Sequence, residues 1–224
     1  ETERNYFSEN GKERQRVEGS NRLNLLTPFY TYNVSNLKSQ YYTLATDTST
    51  KVVKINSKYE LETQLSVSSG SSFRLMADGK TLFYEREGSG GTSLYYADLS
   101  KSDPEGVRLV EAVYSYTFSM NGKTVFYVDD SDRETYTIKL GGKAQKVSTD
   151  RIDSSNVSRV GDGFVYLLDE KLYYSSGGKG SKLSTPNGEV TELQSCGFYV
   201  LAECDDTVYI STNGKSFKKA WSEE

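Results

Sequence analysis

The segment Gly79-Lys80-Thr81-Leu82-Phe83-Tyr84 returns 43 residues later as Gly122-Lys123-Thr124-Val125-Phe126-Tyr127. A short sheet of alternating apolar and polar residues cannot cover its own apolar face, so copies of such a unit must stack on one another. Repetition at roughly 40 residues therefore constrains architecture before it says anything about chemistry. Anchoring each copy on one strand position gives Tyr6, Val53, Tyr95, Tyr136, Tyr173 and Tyr209, at spacings of 47, 42, 41, 37 and 36. A turn follows every anchor: Asn10-Gly11-Lys12, Asn56-Ser57-Lys58, Ser100-Lys101-Ser102, Gly141-Gly142-Lys143, Gly177-Gly178-Lys179 and Asn213-Gly214-Lys215. Asn-Gly and Gly-Gly supply the positive φ angles of tight hairpins.

A second hairpin precedes each anchor except the first. In the third unit it runs Ser72–Ala77, turns at Asp78-Gly79-Lys80 and returns through Thr81–Glu85; in the fourth it runs Ser115–Met120, turns at Asn121-Gly122-Lys123 and returns through Thr124–Val128. Each full unit thus reads as four short antiparallel strands rich in Tyr, Val, Phe and Thr. Four-stranded units at this period are the blades of a β-propeller. The phrase running from Asp78-Gly79-Lys80 through Phe83-Tyr84 to Leu94-Tyr95-Tyr96-Ala97-Asp98-Leu99 resembles the TolB-like and WD40-like propeller repeats, and those of uncharacterised bacterial cell-surface propellers. That resemblance covers residues 32–221 and implies fold more than function.

The expected fold is all-β, with five full blades at about 32–67, 73–112, 114–150, 153–186 and 190–221. Residues 1–31 are left as a partial blade, with 5–17 as its last hairpin, or as an N-terminal extension. Because the chain opens at Glu1, the reading expects a longer precursor whose upstream residues complete that blade or carry an anchor.

Histidine is absent from the 224 residues. No Ser-His-Asp or Cys-His nucleophile system is available, nor a histidine general base. The expectation is therefore that the chain is not an enzyme, a carboxylate pair of the kind used in glycoside hydrolysis being the remaining route. The net charge of −4 without a basic stripe argues against nucleic-acid binding. No apolar run is long enough to span a bilayer. Cys196 and Cys204 fall near opposite ends of one strand, which predicts two reduced, inert thiols. Ser211–Phe217 resembles the Asp-box of sialidase-like propellers but has Asn213 and Phe217 where Asp and Trp are usual; an ordinary Asn-Gly hairpin is the reading adopted. Gly88–Gly91 and Gly177–Gly180 lack the strand-loop-helix context of phosphate cradles and read as hairpin loops.

Sorting charges by turn type gives two sides. Turns joining first to second and third to fourth strands carry Lys12, Lys38, Lys58, Lys80, Lys101, Lys123, Lys143, Lys179 and Lys215. The opposite turns carry Asp47, Glu85, Glu87, Asp129, Asp130, Asp132, Asp169, Glu170, Glu203, Asp205 and Asp206, diluted by Lys51, Arg86, Arg133 and Lys171. Clustered like charge focuses a field over a surface. Glu85, Glu87, Asp129, Asp130, Asp132, Asp169, Asp205 and Asp206 are the candidate binding residues, for a protein or peptide partner or a surface polysaccharide. No cofactor is expected; calcium is the metal such loops would take. The function expected is a monomeric, non-catalytic interaction or ligand-sensing propeller. It would form the extracellular or cell-surface part of a larger bacterial protein, anchored through a segment outside this chain. A carbohydrate-binding or carbohydrate-active propeller is the alternative.

Overall fold

The computed structural model describes residues 6–7, 15–16, 23–26, 28, 40–46, 48–58, 60–68, 71–184, 188–196 and 199–222. Lys12, Lys38, Asp47 and the Asn10–Lys12 turn lie outside them. The chain forms five four-stranded antiparallel sheets, each in simple up-and-down order, plus a two-stranded pair of β1 (Tyr6–Phe7) and β2 (Gln15–Arg16). The sheets divide between two compact units, Glu1–Glu111 and Ala112–Glu224.

In the first unit, the first sheet holds β3 (Leu23–Leu25), β4 (Tyr41–Ala45), β5 (Ser49–Ile55) and β6 (Leu61–Ser68). The second holds β7 (Phe73–Leu75), β8 (Thr81–Gly88), β9 (Gly91–Asp98) and β10 (Val107–Val110). Their shared core joins Tyr41, Val52, Leu65 and Val67 to Leu75, Leu82, Ala97 and Leu99, and the Tyr41 hydroxyl donates to the Leu99 carbonyl at 3.1 Å. The first sheet begins at Leu23, upstream of the boundary at residue 32 expected from the sequence. Leu23-Asn24-Leu25 is too short an alternation to be told from a connecting segment, and no Gly-Lys turn marks it.

In the second unit, the third sheet holds β11 (Val113–Phe118), β12 (Thr124–Asp129), β13 (Thr135–Lys139) and β14 (Gln145–Ser148). The fourth holds β15 (Val157–Val160), β16 (Gly163–Leu168), β17 (Lys171–Ser175) and β18 (Ser181–Lys182). The fifth holds β19 (Val190–Cys196), β20 (Tyr199–Cys204), β21 (Thr207–Ser211) and β22 (Lys218–Ser222). The helical element among the described residues is one 3-10 turn at Ser154–Asn156.

The fourth sheet is covered on both faces, and β16 shows why its sequence is an unbroken apolar run. Phe164 and Tyr166 point to one side and pack with Phe126 of the third sheet and Ile152 of the link that follows it. Val165 points to the other and packs with Val190, Leu193, Val200 and Ala202 of the fifth. Strand side chains alternate, so a strand buried on both faces loses the polar half of its pattern. Each fully buried aliphatic or aromatic side chain here contributes about 1.5–3 kcal/mol by transfer from water. Hydroxyl pairs tie neighbouring sheets as well: Thr137 Oγ1 lies 3.1 Å from Ser175 Oγ, and Ser158 Oγ lies 2.7 Å from Ser195 Oγ.

The turns close locally. Asp78 Oδ1 accepts from the Lys80 and Thr81 amides at 3.0 and 2.9 Å, and Asn213 Oδ1 from the Lys215 and Ser216 amides at 2.8 and 3.0 Å. The glycine after each has positive φ, 68° at Gly79 and 70° at Gly214, which is why Gly occupies that place. Asn213 therefore serves a hairpin between β21 and β22, as expected for Ser211–Phe217. Cys196 pairs with Tyr199 and Cys204 with Val190, at opposite ends of the β19–β20 hairpin. Burial raises the pKa of the Cys204 thiol, helped by the nearby Asp205 and Glu189 charges.

Candidate functional site

In the second unit, antiparallel order places the β12–β13, β16–β17 and β20–β21 turns at one end of their sheets. That end carries Asp129, Asp130 and Asp132 on the first turn, Asp169 and Glu170 on the second, and Asp205 and Asp206 on the third. Three of these acids sit in the left-handed region, Asp169 at φ 49°, Glu170 at 59° and Asp205 at 50°, as does Arg133 at 61°. Tight turns impose those angles, and Asp tolerates them better than most residues.

The 129–134 turn is wired by its own carboxylates. Asp129 Oδ1 accepts from the Ser131 amide at 2.9 Å and from its hydroxyl at 2.5 Å. Asp132 Oδ1 accepts from the Glu134 amide at 2.8 Å, and its Oδ2 from the Tyr136 hydroxyl at 2.8 Å. The Glu134 amide bond, with help from Tyr136, holds the Asp132 carboxyl below its usual range. The same Tyr136 hydroxyl lies 2.7 Å from Glu134 Oε2, and this carboxylate is the main reason its pKa is raised. Lys146 pairs with Glu134. Asp130 pairs with Arg133 at 3.1 Å.

Arg133 then reaches β11. Its guanidinium carbon lies 3.8 Å from the ring centroid of Tyr114, and that of Arg151 lies 4.7 Å from the same centroid. Arg151 Nη1 donates to the Tyr114 hydroxyl at 3.2 Å, while its Nε and Nη2 hold Asp153 Oδ1 at 2.8 and 2.6 Å. Tyr114 nevertheless remains 45% exposed. Two guanidinium groups thus hold by cation–π contact a ring that stays partly exposed. In sequence Arg133 shows only as a dilution of negative charge, and nothing marks Tyr114 or Arg151. Those two lie in a first strand and a sheet-to-sheet link, and only folding brings them to the turn.

In the first unit, Glu85 and Glu87 sit on β8 beside the β8–β9 turn. Glu87 Oε1 accepts from the Thr92 hydroxyl at 2.8 Å, and Arg86 lies 5.3 Å from the Tyr95 ring centroid. The eight candidate acids thus fall at four separate turns, Asp129, Asp130 and Asp132 sharing one of them. Among the described residues, no three Asp, Glu or Cys side chains converge to hold a metal ion. The 129–134 turn is poorly suited to calcium, because Asp129 Oδ1 and both oxygens of Asp132 already accept from backbone and hydroxyl donors of the turn and of Tyr136. Among the described residues, no helix is long and apolar enough to cross a membrane.

Five four-stranded antiparallel sheets following one another along the chain define a β-propeller. No protein-family model matches the chain, and no curated protein is significantly similar to it in sequence. Solved structures are similar in fold. An uncharacterised protein of Listeria monocytogenes shares 10% identity over 84% of this chain and 62% of its own, with a TM-score of 0.49. A prolyl endopeptidase shares 16% identity over 94% of this chain and 37% of its own, at 0.46. The acylaminoacyl peptidase of Pyrococcus horikoshii shares 16% identity over 90% and 40%, also at 0.46. The chain spans less than two thirds of the length of each. The likeness is to propellers in general and does not single out TolB-like repeats. Two of the three structures are named as enzymes, so the expectation that the chain is not an enzyme is withdrawn and its enzymatic status stands open. Neither the propeller fold nor the lack of histidine assigns a non-catalytic role.

Proposed function

We propose that this chain is a propeller interaction module whose acidic-turn side engages a basic segment of a partner protein. The observation that carries the reading is the preformed 129–134 turn. Its backbone is fixed by Asp129 and Asp132, so its residual negative charge is presented without ordering cost. Asp169, Glu170, Asp205 and Asp206 at the same end of the second unit add to that field, and Arg133 and Arg151 offset part of it. Glu85 and Glu87 extend the acidic set in the first unit. The resemblance to TolB-like and bacterial cell-surface repeats supports placing the module outside the cytoplasm, as part of a larger surface protein. Antibody labelling of intact against lysed source cells tests that placement, and labelling only after lysis would refute it.

The binding test is fluorescence anisotropy of a labelled lysine- and arginine-rich peptide at low and physiological salt. The triple variant D130N/D205N/D206N is expected to weaken binding by about tenfold, with a shallower salt dependence. Binding unchanged in that variant would remove the acidic side from the function. A second reading, saccharide binding, draws support from Tyr114, an aromatic side chain that stays 45% exposed beside the guanidinium donors of Arg133 and Arg151. Loss of glycan-array signal in Y114A, with peptide binding intact, would favour it.

A further inference from the structure

Opposite the acidic side, a hollow of about 380 Å³ opens between the fourth and fifth sheets. Its wall includes Tyr174, Ser176, Gly178, Lys179, Ser181 and Lys215, and none of the described residues lining it is acidic. In a chain of net charge −4, two ammonium groups among described lining residues that include no carboxylate form a local reversal of sign.

The geometry holds Lys215 over the hollow and sets Lys179 on its wall. Lys215 follows Gly214, whose place a Cβ would deny: it would fall 2.4 Å from Val160 Cγ1 and 2.9 Å from Val165 Cγ2. The Asn213 turn can therefore pack down onto the fourth sheet only with glycine there, and this puts Lys215 Nζ 5.0 Å from the Tyr174 ring centroid. The Tyr174 ring is itself oriented by its hydroxyl, which donates to Asp162 Oδ1 at 3.1 Å. On the other wall, Lys179 stands on the β17–β18 turn. That turn is pinned where the Gly178 carbonyl accepts from Ser175 Oγ at 2.6 Å and Thr137 Oγ1 at 3.1 Å. Neither Lys179 nor Lys215 forms an ion pair with a described residue. The Ser176 and Ser181 hydroxyls complete a rim of polar groups. The volume lies at the lower end of small-molecule sites.

We propose that this hollow binds a small polyhydroxylated anion, a sugar phosphate or a sugar acid, with its oxyanion between Lys179 and Lys215 and its hydroxyls on the serine rim. An ammonium pair suits a compact oxyanion as a point-charge partner. The site is independent of the acidic-side reading, since it uses the other end of the sheets and none of the same residues.

Calorimetric titration of the whole chain with glucose 6-phosphate, glucuronate, glucose and inorganic phosphate tests it. At least one sugar anion is expected to bind saturably, about tenfold or more tighter than glucose and than inorganic phosphate. The stronger of the two identifies the anion as phosphate or carboxylate. K179Q and K215Q should each weaken that binding by about tenfold while thermal melting stays unchanged. Absence of binding by both sugar anions, or binding that survives both substitutions, overturns the site. Inorganic phosphate binding as tightly as the sugar phosphate overturns the polyhydroxylated part. A K215R variant, which keeps the charge, should retain binding, and its failure together with normal binding in K215Q would also overturn the proposal.

Discussion

Tyr84 and Tyr95 are cross-strand partners on β8 and β9, with ring centroids 5.3 Å apart and planes inclined by 15°. The relationship repeats in the next two sheets. Tyr127 stacks on Tyr136 at 5.4 Å and 18°, and Tyr166 on Tyr173 at 5.5 Å and 14°. One ring of each pair lies on the second strand and the other on the third. Aromatic pairs of this kind contribute about 0.5–1.5 kcal/mol beyond the area they bury.

In two of these sheets the second-strand tyrosine reaches a glycine before the fourth strand. A Cβ on Gly180 would fall 1.6 Å from the Tyr166 hydroxyl oxygen, and one on Gly106 would fall 1.7 Å from that of Tyr84. Gly180→Ala is expected to cost about 1–3 kcal/mol, as overpacking does. Tyr166→Phe, by removing the hydroxyl, should recover part of that cost, so the pair will be non-additive in urea denaturation. Strict additivity would show that the two positions do not meet.

Thr124 Oγ1 is buried without a hydrogen-bond partner. At the matching place in the second sheet, Thr81 Oγ1 donates to Asp78 Oδ2 at 2.7 Å, whereas the third sheet has Asn121 where Asp78 stands. Asn121→Asp offers the missing acceptor and should stabilise the second unit by about 1 kcal/mol. A lower denaturation midpoint for that variant would show that the aspartate's desolvation outweighs the bond.

The β16–β17 turn has two residues, Asp169 and Glu170, with Leu168 pairing Lys171 across it and both φ angles positive. Asn-Gly is the favoured pair for such a turn. Replacing Asp169-Glu170 by Asn-Gly should raise stability by about 1–2 kcal/mol, because the left-handed cost is relieved. If peptide binding falls as stability rises, the acids are kept for the surface they form.

Alkaline pH acts through buried phenols. Burial pushes Tyr127 and Tyr166 up to about 12, with Asp129 adding to the first and Tyr173 to the second. A folded-state pKa above the unfolded value of about 10 means that folding favours the protonated ring. That contribution is complete below pH of about 10 and declines as pH rises towards about 12. Thermal melts should therefore fall in that window, and Tyr127→Phe with Tyr166→Phe should flatten the fall. Asp132, Asp98 and Glu62 have lowered pKa values, so their contribution is present above the ordinary carboxylate range and is lost on acidification.

Turn chemistry and period carried most of the architecture in the sequence. Val53, Tyr95, Tyr136, Tyr173 and Tyr209 all fall in third strands, because a lysine-bearing turn follows each of them within a few residues. β3 was hidden, since three residues leave no alternation to read. The candidate surfaces were half legible. The separation of acids from lysines follows from which turn each occupies, and turn order is visible in the repeat. What each carboxylate does is not: Asp129 and Asp132 bond inside their own turn, and Arg151 reaches Tyr114 from 37 residues away. Long-range contacts of that kind depend on how sheets meet.

The Asp78 and Asn213 turns are each closed by a side chain within the turn. A hairpin that completes its own wiring carries its instructions wherever it is copied. Duplicating or deleting a blade that carries such a hairpin leaves the turn specified by its own residues, so blade number can change by gene duplication without these turns having to be reinvented. The same property makes these hairpins suitable units for building propellers of chosen size.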